Sequence, residues 1–358
     1  MLVNVDCKWN LALRRLYAYH ENKGDTVSMF DVGFGFYKHA KRKIIDGRGF
    51  DIAYVSNIFE SNSHNVEVYG CSNVQYGGIG SRNPNLKLPD EVEATPPKYF
   101  DGEDTAHGYI TRGCIRNCYF CKVPKFEGKL TAYRNVAEVV GDFKKAIFHD
   151  NNILAWGGCC DSFRWLIEHG IKCQFNQGLD LRLVDERKLD LLSRLNYMGE
   201  YGFAVDDVSY IKPFESKLQL AKKYISKPWK MKFFVYVNAD MEPRDTVKRI
   251  EWLKQNECLP YIMRDQNVYG SENEQFYTDV AAYCNQPGIF KKMDFETFLR
   301  NRHPKNSARQ AWSFAIWNGE CPTLCESCWQ PTLDLFAEDE NTLCAECVDD
   351  STRKERKQ

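Results

Sequence analysis

The chain has 358 residues, too many for one small domain and enough to bury a core without covalent staples. At 43% hydrophobic and 27% charged it is globular in composition, which excludes gross disorder and collagen-like repeats. Lysine and arginine (48) balance aspartate and glutamate (49), so no global basic field points to nucleic acid and only a local patch could. No apolar run approaches the roughly 18 residues of a membrane span. The opening MLVNVDCKWN lacks the basic and apolar regions of a signal peptide. The expectation is a cytoplasmic protein with no membrane partner.

In chain order, residues 1–6 read as a strand and 11–19 as a helix, with Leu13, Leu16 and Tyr17 at helical spacing. Residues 50–58 and 66–69 read as buried strands, the second followed closely by Gly77-Gly78-Ile79-Gly80. Residues 81–105, rich in proline and acid, read as a surface linker. A second α/β run starts at Tyr109. Residues 132–143 carry Val136, Val139, Val140 and Phe143 on one helical stripe. Strands are expected at 146–154, 171–176, 201–205, 232–238 and 259–264, alternating with helices at 163–169, 185–195, 215–224 and 245–254. That alternation is shorter than a complete eight-fold barrel, so a partial barrel is expected. After residue 275 the pattern breaks down, apart from helices at 295–302 and 307–317, and no repeat of domain size is present.

Fifteen cysteines in a chain without an export signal point to metal rather than disulfides. Cys7, Cys71, Cys159, Cys160, Cys173, Cys258 and Cys284 are scattered and read as small buried hydrophobes. Cys114, Cys118 and Cys121 form C-x3-C-x2-C on one loop. Three such thiolates suit three irons of a [4Fe–4S] cube, leaving the fourth iron open to a ligand. Arg112, Arg116 and Lys122 around them favour thiolates. The alternative is a zinc knuckle with His107 as fourth ligand.

The segment TRGCIRNCYFCKVPKFEG, with an aromatic residue before its third cysteine and a place early in a βα run, resembles the cluster loop of the radical SAM superfamily. It is similar to the branch that carries an N-terminal cobalamin-binding-like domain. VQYGGIG and LPDEVEATPP fit that branch, and FNQGLDLR, FAVDDVSYIKP and YIMR resemble members found in bacteria and phages. The resemblance covers about residues 1–265. It implies an α/β chain of three parts: a small Rossmann-like domain over 1–100, a partial (β/α)6 barrel over 101–275, and a Cys-rich metal-binding segment over 276–358.

The resemblance also implies S-adenosylmethionine (SAM) on the open iron, cleaved by one electron to a 5′-deoxyadenosyl radical. The electron would come from a flavodoxin- or ferredoxin-like donor. Phe120 would pack near the adenine. Gly157 and Gly158 stand near the family's glycine-rich motif, without the glutamate that often ends it, and Asp150-Asn151-Asn152 is a rival for that place. Asn176, Gln177, Asp180, Asp206 and Asn238 follow or end strands, where barrels bind ligands, and are candidates for holding the cofactor. Arg182 or Arg264 would pair with its carboxylate. The bland reading of each is a capping or loop-bracing residue.

The Asp-x-His-x-x-Gly motif of cobalamin binding is absent, and 100 residues is short for that domain, so a relic domain is favoured over one holding cobalamin. Cys325-x2-Cys328 and Cys344-x2-Cys347 have the spacing of a four-thiolate zinc ribbon. Cys321 adds a possible fifth ligand, and an auxiliary iron–sulfur cluster is the rival. Arg300, Arg302, His303, Lys305 and Arg309 beside Trp312, Phe314 and Trp317 combine charge and aromatics in a way that would track a phosphate backbone. Their bland reading is a solvated helix whose tryptophans pack inward. The expected activity is hydrogen abstraction from a substrate. That substrate is a nucleic-acid base or, alternatively, a peptide or small metabolite; a non-catalytic metal-binding or redox-sensing protein is the competing class.

Overall fold

The computed structural model describes residues 1–33 and 42–320 and the short strands at 323–324, 331–332, 335–338 and 341–344. Cys321, Cys325, Cys328 and Cys347 lie outside these residues, and Cys344 is described only as the end of a strand, so the expected ribbon falls outside what is described. The fold is mixed α/β with parallel sheets, as composition and patterning predict. It divides into two compact units, Met1–Asn151 and Asn152–Gln358.

In the first unit β1 (Leu2–Asn4), α1 (Leu11–Asn22), β2 (Met29–Asp31), β3 (Lys43–Asp46), β4 (Ala53–Ser56), β5 (Val66–Tyr69) and β6 (Val74–Gly77) follow in order. The order β2-β1-β4-β6 makes a four-stranded parallel sheet, and β3 pairs with β5. The alternation along β1 decides its two faces: Met1, Val3 and Val5 pack with Val55 and Val66, while Leu2 packs with Leu13 and Leu16 of α1. β2 and β3 escape a periodicity reading because they are short and largely exposed.

The segment expected as a surface linker is braced instead. It contains α2 (Asp90–Ala94), whose Val92 is buried against Leu13 and Leu16. Arg14 clamps Glu103 through both carboxylate oxygens at 2.8 Å, and Arg15 bonds Glu93 at 2.6 Å. Gly78 and Gly80 are needed inside the unit: a Cβ on either would strike the carbonyl oxygens of Asn57 or Ile58. Packing thus accounts for these glycines without a bound cofactor.

The unit continues with β7 (Ala106–Gly108), β8 (Thr111–Arg112), α3 (Val123–Phe126), β9 (Thr131–Ala132), α4 (Val136–Val140) and β10 (Lys145–Phe148). β10 runs parallel to β7, and β8 pairs antiparallel with β9. The helix expected over 132–143 is only α4. Asn135 caps it by accepting from the Ala137 N–H, and Gly141 at φ +53° stops it.

The second unit holds α5 (Cys159–Glu168), β11 (Lys172–Phe175), α6 (Glu186–Arg194), β12 (Asn196–Tyr197), β13 (Tyr201–Ala204), α7 (Ile211–Tyr224), β14 (Met231–Val237), α8 (Pro243–Gln255) and β15 (Leu259–Arg264). β13, β14 and β15 are parallel, with Phe203 beside Phe233 and Phe233 beside Pro260. β14 buries Met231, Phe233, Val235 and Val237 completely, the period of a strand with one face in a core. Pro260 sits on the outer strand of this sheet, where a missing N–H costs little. Cys159, Cys160, Cys173, Cys258 and Cys284 are buried, as small hydrophobes should be.

Beyond residue 275 the structure is more regular than the sequence predicts. Helices α9 (Glu274–Cys284), α10 (Pro287–Lys292), α11 (Phe295–Arg302) and α12 (Ser307–Asn318) pack around Tyr283, Phe295 and Trp317. At their centre the fully buried Asp279 accepts from Arg302 Nε (3.1 Å), His303 Nε2 (2.8 Å), Arg309 Nη2 (3.0 Å) and Ser313 Oγ (2.9 Å). Burial pushes its pKa up, but the bonds from Arg309 and His303 outweigh it and hold the carboxyl below its usual range. The basic, aromatic stretch read as a phosphate tracker is therefore largely an internal brace. Arg302, His303 and Arg309 face Asp279, Arg300 pairs with Glu296, and Trp317 stacks on Phe295 at 4.3 Å.

Candidate functional site

The C-x3-C-x2-C cysteines sit on the excursion between β8 and β9, and the base of that loop is tightly held. Buried Asp150, just past β10, accepts from the Ile110 N–H at 3.1 Å, the Thr111 N–H at 2.5 Å and Thr111 Oγ1 at 2.7 Å. Burial raises its pKa while these donors pull it back. Glu127 Oε2 accepts from the Gly113 N–H (3.0 Å), Asn151 Nδ2 (2.8 Å) and Arg112 Nε (3.1 Å). The Cys114 N–H donates to Gly128 O at 3.2 Å, and the Cys121 N–H to Cys118 O at 3.0 Å. Asp150 and Asn151, named from sequence as rivals for a cofactor contact, serve here to brace the loop.

Gly113 turns the chain into the loop at φ +76°. A Cβ there would run into the carbonyl oxygens of Lys129 and Gly128. Gly113→Ala is expected to cost at least about 2 kcal/mol, from the left-handed conformation plus the displaced backbone. Thermal unfolding and iron uptake measured together check this: both should fall.

All three thiols are half-buried, and the Arg116 N–H donates to Cys114 Sγ at 3.3 Å. Among the described residues no three His, Cys, Asp or Glu side chains converge on one metal ion. Three thiolates on one loop are the donor type that three irons of a cube take. His107, the fourth ligand of the zinc alternative, is buried with its ring stacked on Trp9 at 3.8 Å and its Nδ1 3.1 Å from His149 Nε2.

That histidine pair has its own consequence. Burial, and for His107 the neighbouring His149, lowers both pKa values to about 4. An unfolded chain takes up these protons first as pH falls through 6.5. Stability contributed by the neutral pair is therefore present above 6.5, is lost between 6.5 and about 4, and levels off below. His149→Gln should lose less of its melting temperature between pH 7 and pH 4.5 than the wild type, and equal slopes would refute the assignment.

In the second unit the predicted strand-end residues lie as follows. Asn176 and Gln177 directly follow β11 and are exposed. Asp180 accepts from Arg182 Nε at 2.7 Å and from Asn152 Nδ2 at 3.3 Å, and the Arg182 guanidinium lies over the Tyr210 ring at 5.1 Å. Asp206, just past β13, accepts a long 3.4 Å bond from the Tyr236 N–H; burial raises its pKa to about 6 against the pull of that bond and of Arg249 and Arg182. Asn238, just past β14, is buried and accepts from the Asp240 N–H at 3.0 Å. Arg264 ends β15 and donates to Thr278 Oγ1 at 2.8 Å. Gly157 and Gly158 do not end a strand; they form the turn into α5, with Gly158 as its N-cap against the Trp156 ring.

One residue escapes a sequence reading altogether. Arg249 on α8 is fully buried and donates from Nη1 to the carbonyls of Val205 (3.1 Å) and Tyr236 (2.9 Å), and from Nη2 to Thr246 Oγ1 (2.8 Å). It ties the ends of β13 and β14 together beside Asp206. Nothing in its sequence neighbourhood sets it apart from an exposed arginine on an amphipathic helix.

No protein-family model matches the chain, and no curated protein matches it. Among solved structures it is similar to SuiB of Streptococcus suis, at a TM-score of 0.34 and 12% identity, over 58% of this chain and 47% of that one. A structure of SuiB bound to S-adenosylmethionine gives a TM-score of 0.32 at 12% identity, over 58% and 45%. The likeness thus spans less than half of SuiB, and it is too distant to carry an argument about fold or activity.

Proposed function

We propose that the chain is a radical SAM enzyme, with Cys114, Cys118 and Cys121 as ligands of a [4Fe–4S] cluster. The observation that carries the reading is the cysteine loop itself. Three half-buried thiols stand on one excursion whose base is held by Asp150, Glu127 and the β8–β9 pair. When bound, the cluster would supply the electron that cleaves SAM to the radical that abstracts hydrogen from substrate.

The chain's own residues would position and shield. The Arg116 N–H, which donates to the Cys114 sulfur, would help to orient that ligand. Phe120 is proposed to pack on the adenine, with Gly157 and Gly158 near the methionine end. Asn176, Gln177, Asp180, Arg182, Asp206, Asn238 and Arg264 are proposed to hold the rest of the cofactor. Support for them is their place at or just after the C-terminal ends of parallel strands, where α/β enzymes bind ligands. The Rossmann-like, barrel and C-terminal divisions at 1–100, 101–275 and 276–358 belong to the same proposal, as does a C-terminal zinc site. For the substrate, the engagement of Arg302 and Arg309 with Asp279 favours a peptide or small metabolite over a nucleic-acid base.

The test is anaerobic: reconstitute with iron and sulfide, count iron and zinc, reduce with dithionite, add SAM and assay 5′-deoxyadenosine. About four irons per chain and 5′-deoxyadenosine are expected. Zinc in place of iron would sink the reading. Iron without cleavage, with DNA, RNA, peptide and metabolite pools each tried as substrate, would favour a sensor.

A further inference from the structure

Parallel sheets are normally covered on both faces, and the sheet of β13, β14 and β15 leaves one face half-open. Phe203, Phe233, Val235 and Val237 fill the covered face, where Phe233 meets Trp252 of α8 edge-on at 5.9 Å. The alternate residues, in register across the strands, make the other face: Ala204 beside Phe234, Phe234 beside Tyr261, and Tyr236 beside Met263. There Tyr261 is 41% exposed and Met263 47%. The Phe234 and Tyr261 rings meet edge-on with centroids 5.9 Å apart, an arrangement that a third ring can extend. Gly178 and Gly202 clear the flank of Phe234: a Cβ on them would come 3.6 Å and 3.1 Å from its ring. Met263 adds a thioether, which packs well on ring edges. The Lys232 ammonium lies 5.9 Å and 5.8 Å from the two ring centroids, but Glu200 already pairs with it at 3.5 Å, so a phosphorylated ligand gains little from it.

We infer that Phe234, Tyr261 and Met263 form a seat for one aromatic ring of the substrate: the uncharged side chain of an aromatic amino acid, free or within a peptide. Two crossed rings and a thioether offer edge and face contacts that an aliphatic chain cannot return. The compensated charge of Lys232 selects against a nucleotide. The seat lies on the same strands whose ends carry Asp206, Asn238 and Arg264. That the ring belongs to a substrate rests on the enzyme reading above; that this face takes a ring does not.

The experiment titrates cluster-loaded, SAM-saturated protein, with iron-free protein in parallel, and reads binding by saturation-transfer NMR. The probes are the N-acetyl amides of phenylalanine, tyrosine, tryptophan and leucine, the free amino acids, adenosine and AMP. The aromatic amides are expected to bind about fivefold tighter than the leucine amide. Tyr261→Ala/Met263→Ala should weaken them about tenfold and, since both side chains are half-exposed, keep the wild-type melting temperature. Phe234→Leu should erase the preference for aromatic over leucine amide. Tighter binding of the amides than of the free amino acids assigns a peptide as the source of the ring, and the reverse order a free amino acid. Equal binding of the leucine amide by wild type, tighter binding of adenosine than of any amide, or aromatic binding that ignores both variants would each overturn the seat. 5′-Deoxyadenosine production without ring binding overturns the seat and keeps the enzyme; ring binding by a chain that takes up no cluster keeps the seat and overturns the enzyme.

Discussion

Alanine at Cys114, Cys118 and Cys121 together is expected to reduce bound iron and 5′-deoxyadenosine to background while leaving the fold in place. The second half of that expectation is the informative one. The loop base is held by Asp150 on Ile110 and Thr111, by Glu127 on Gly113 and Arg112, and by the β8–β9 pair. The Arg116 N–H donates to the Cys114 sulfur. Losing a half-exposed acceptor of this kind costs about 1 kcal/mol or less. Calorimetry of the apo proteins should therefore give nearly coincident transitions for wild type and triple variant. A collapse of the apo variant would mean that the cysteines are structural. The zinc alternative makes a different prediction: His107→Ala would then strip the metal, whereas a three-thiolate cube keeps its iron.

Asp279→Ala is expected to be the most destabilising single change in the second unit, by about 3–5 kcal/mol, because it leaves Arg302, His303 and Arg309 facing a buried hole. For a unit of this size that lowers the melting temperature on the order of 10 °C. Asp279→Asn keeps the shape and part of the hydrogen bonding and should cost less. Arg309→Met added to Asp279→Ala should recover part of the loss, since it removes one stranded cation. The pH dependence has the opposite cause from that of the histidine pair. A carboxyl held below its usual range contributes stability above its unfolded pKa and loses it as pH falls through the folded one. Wild type and Asp279→Asn should thus draw together in stability at strongly acid pH. A constant gap from neutral to acid pH would assign the effect to packing rather than charge.

What the sequence made legible was local. C-x3-C-x2-C is a spacing within eight residues, and neither its position nor its chemistry needs the rest of the fold. The strands with strong alternation, such as β14, were equally readable, and so were helices with a clear apolar stripe. Asp279 was not, because its partners lie at positions 302–313, on other elements, and only folding brings them to one carboxylate. Those same arginines read in sequence as a nucleic-acid stretch; a run of cations looks alike whether it faces phosphate or a buried acid. Arg249 hid for a similar reason, since burial of one arginine on an amphipathic helix leaves no trace in periodicity. Of the last four helices, α11 and α12 were read at 295–302 and 307–317, while α9 and α10 were passed over; α9 buries Phe276, Tyr277, Asp279, Val280, Ala281, Tyr283 and Cys284, which leaves a weak polar face to set its period.

The division of the cysteines between core and loop sets how this chain would age in air. Burial pushes the thiols of Cys173 and Cys258 up to about 12 and that of Cys284 well above its normal value, so they resist oxygen and alkylating agents. Cys114, Cys118 and Cys121 are only half-buried. Oxidative damage would therefore take the reactive loop first and the core last. If the loop holds the proposed cluster, a preparation would keep its circular dichroism, its melting transition and its elution volume after its activity is gone, and a count of intact loop thiols would measure active protein.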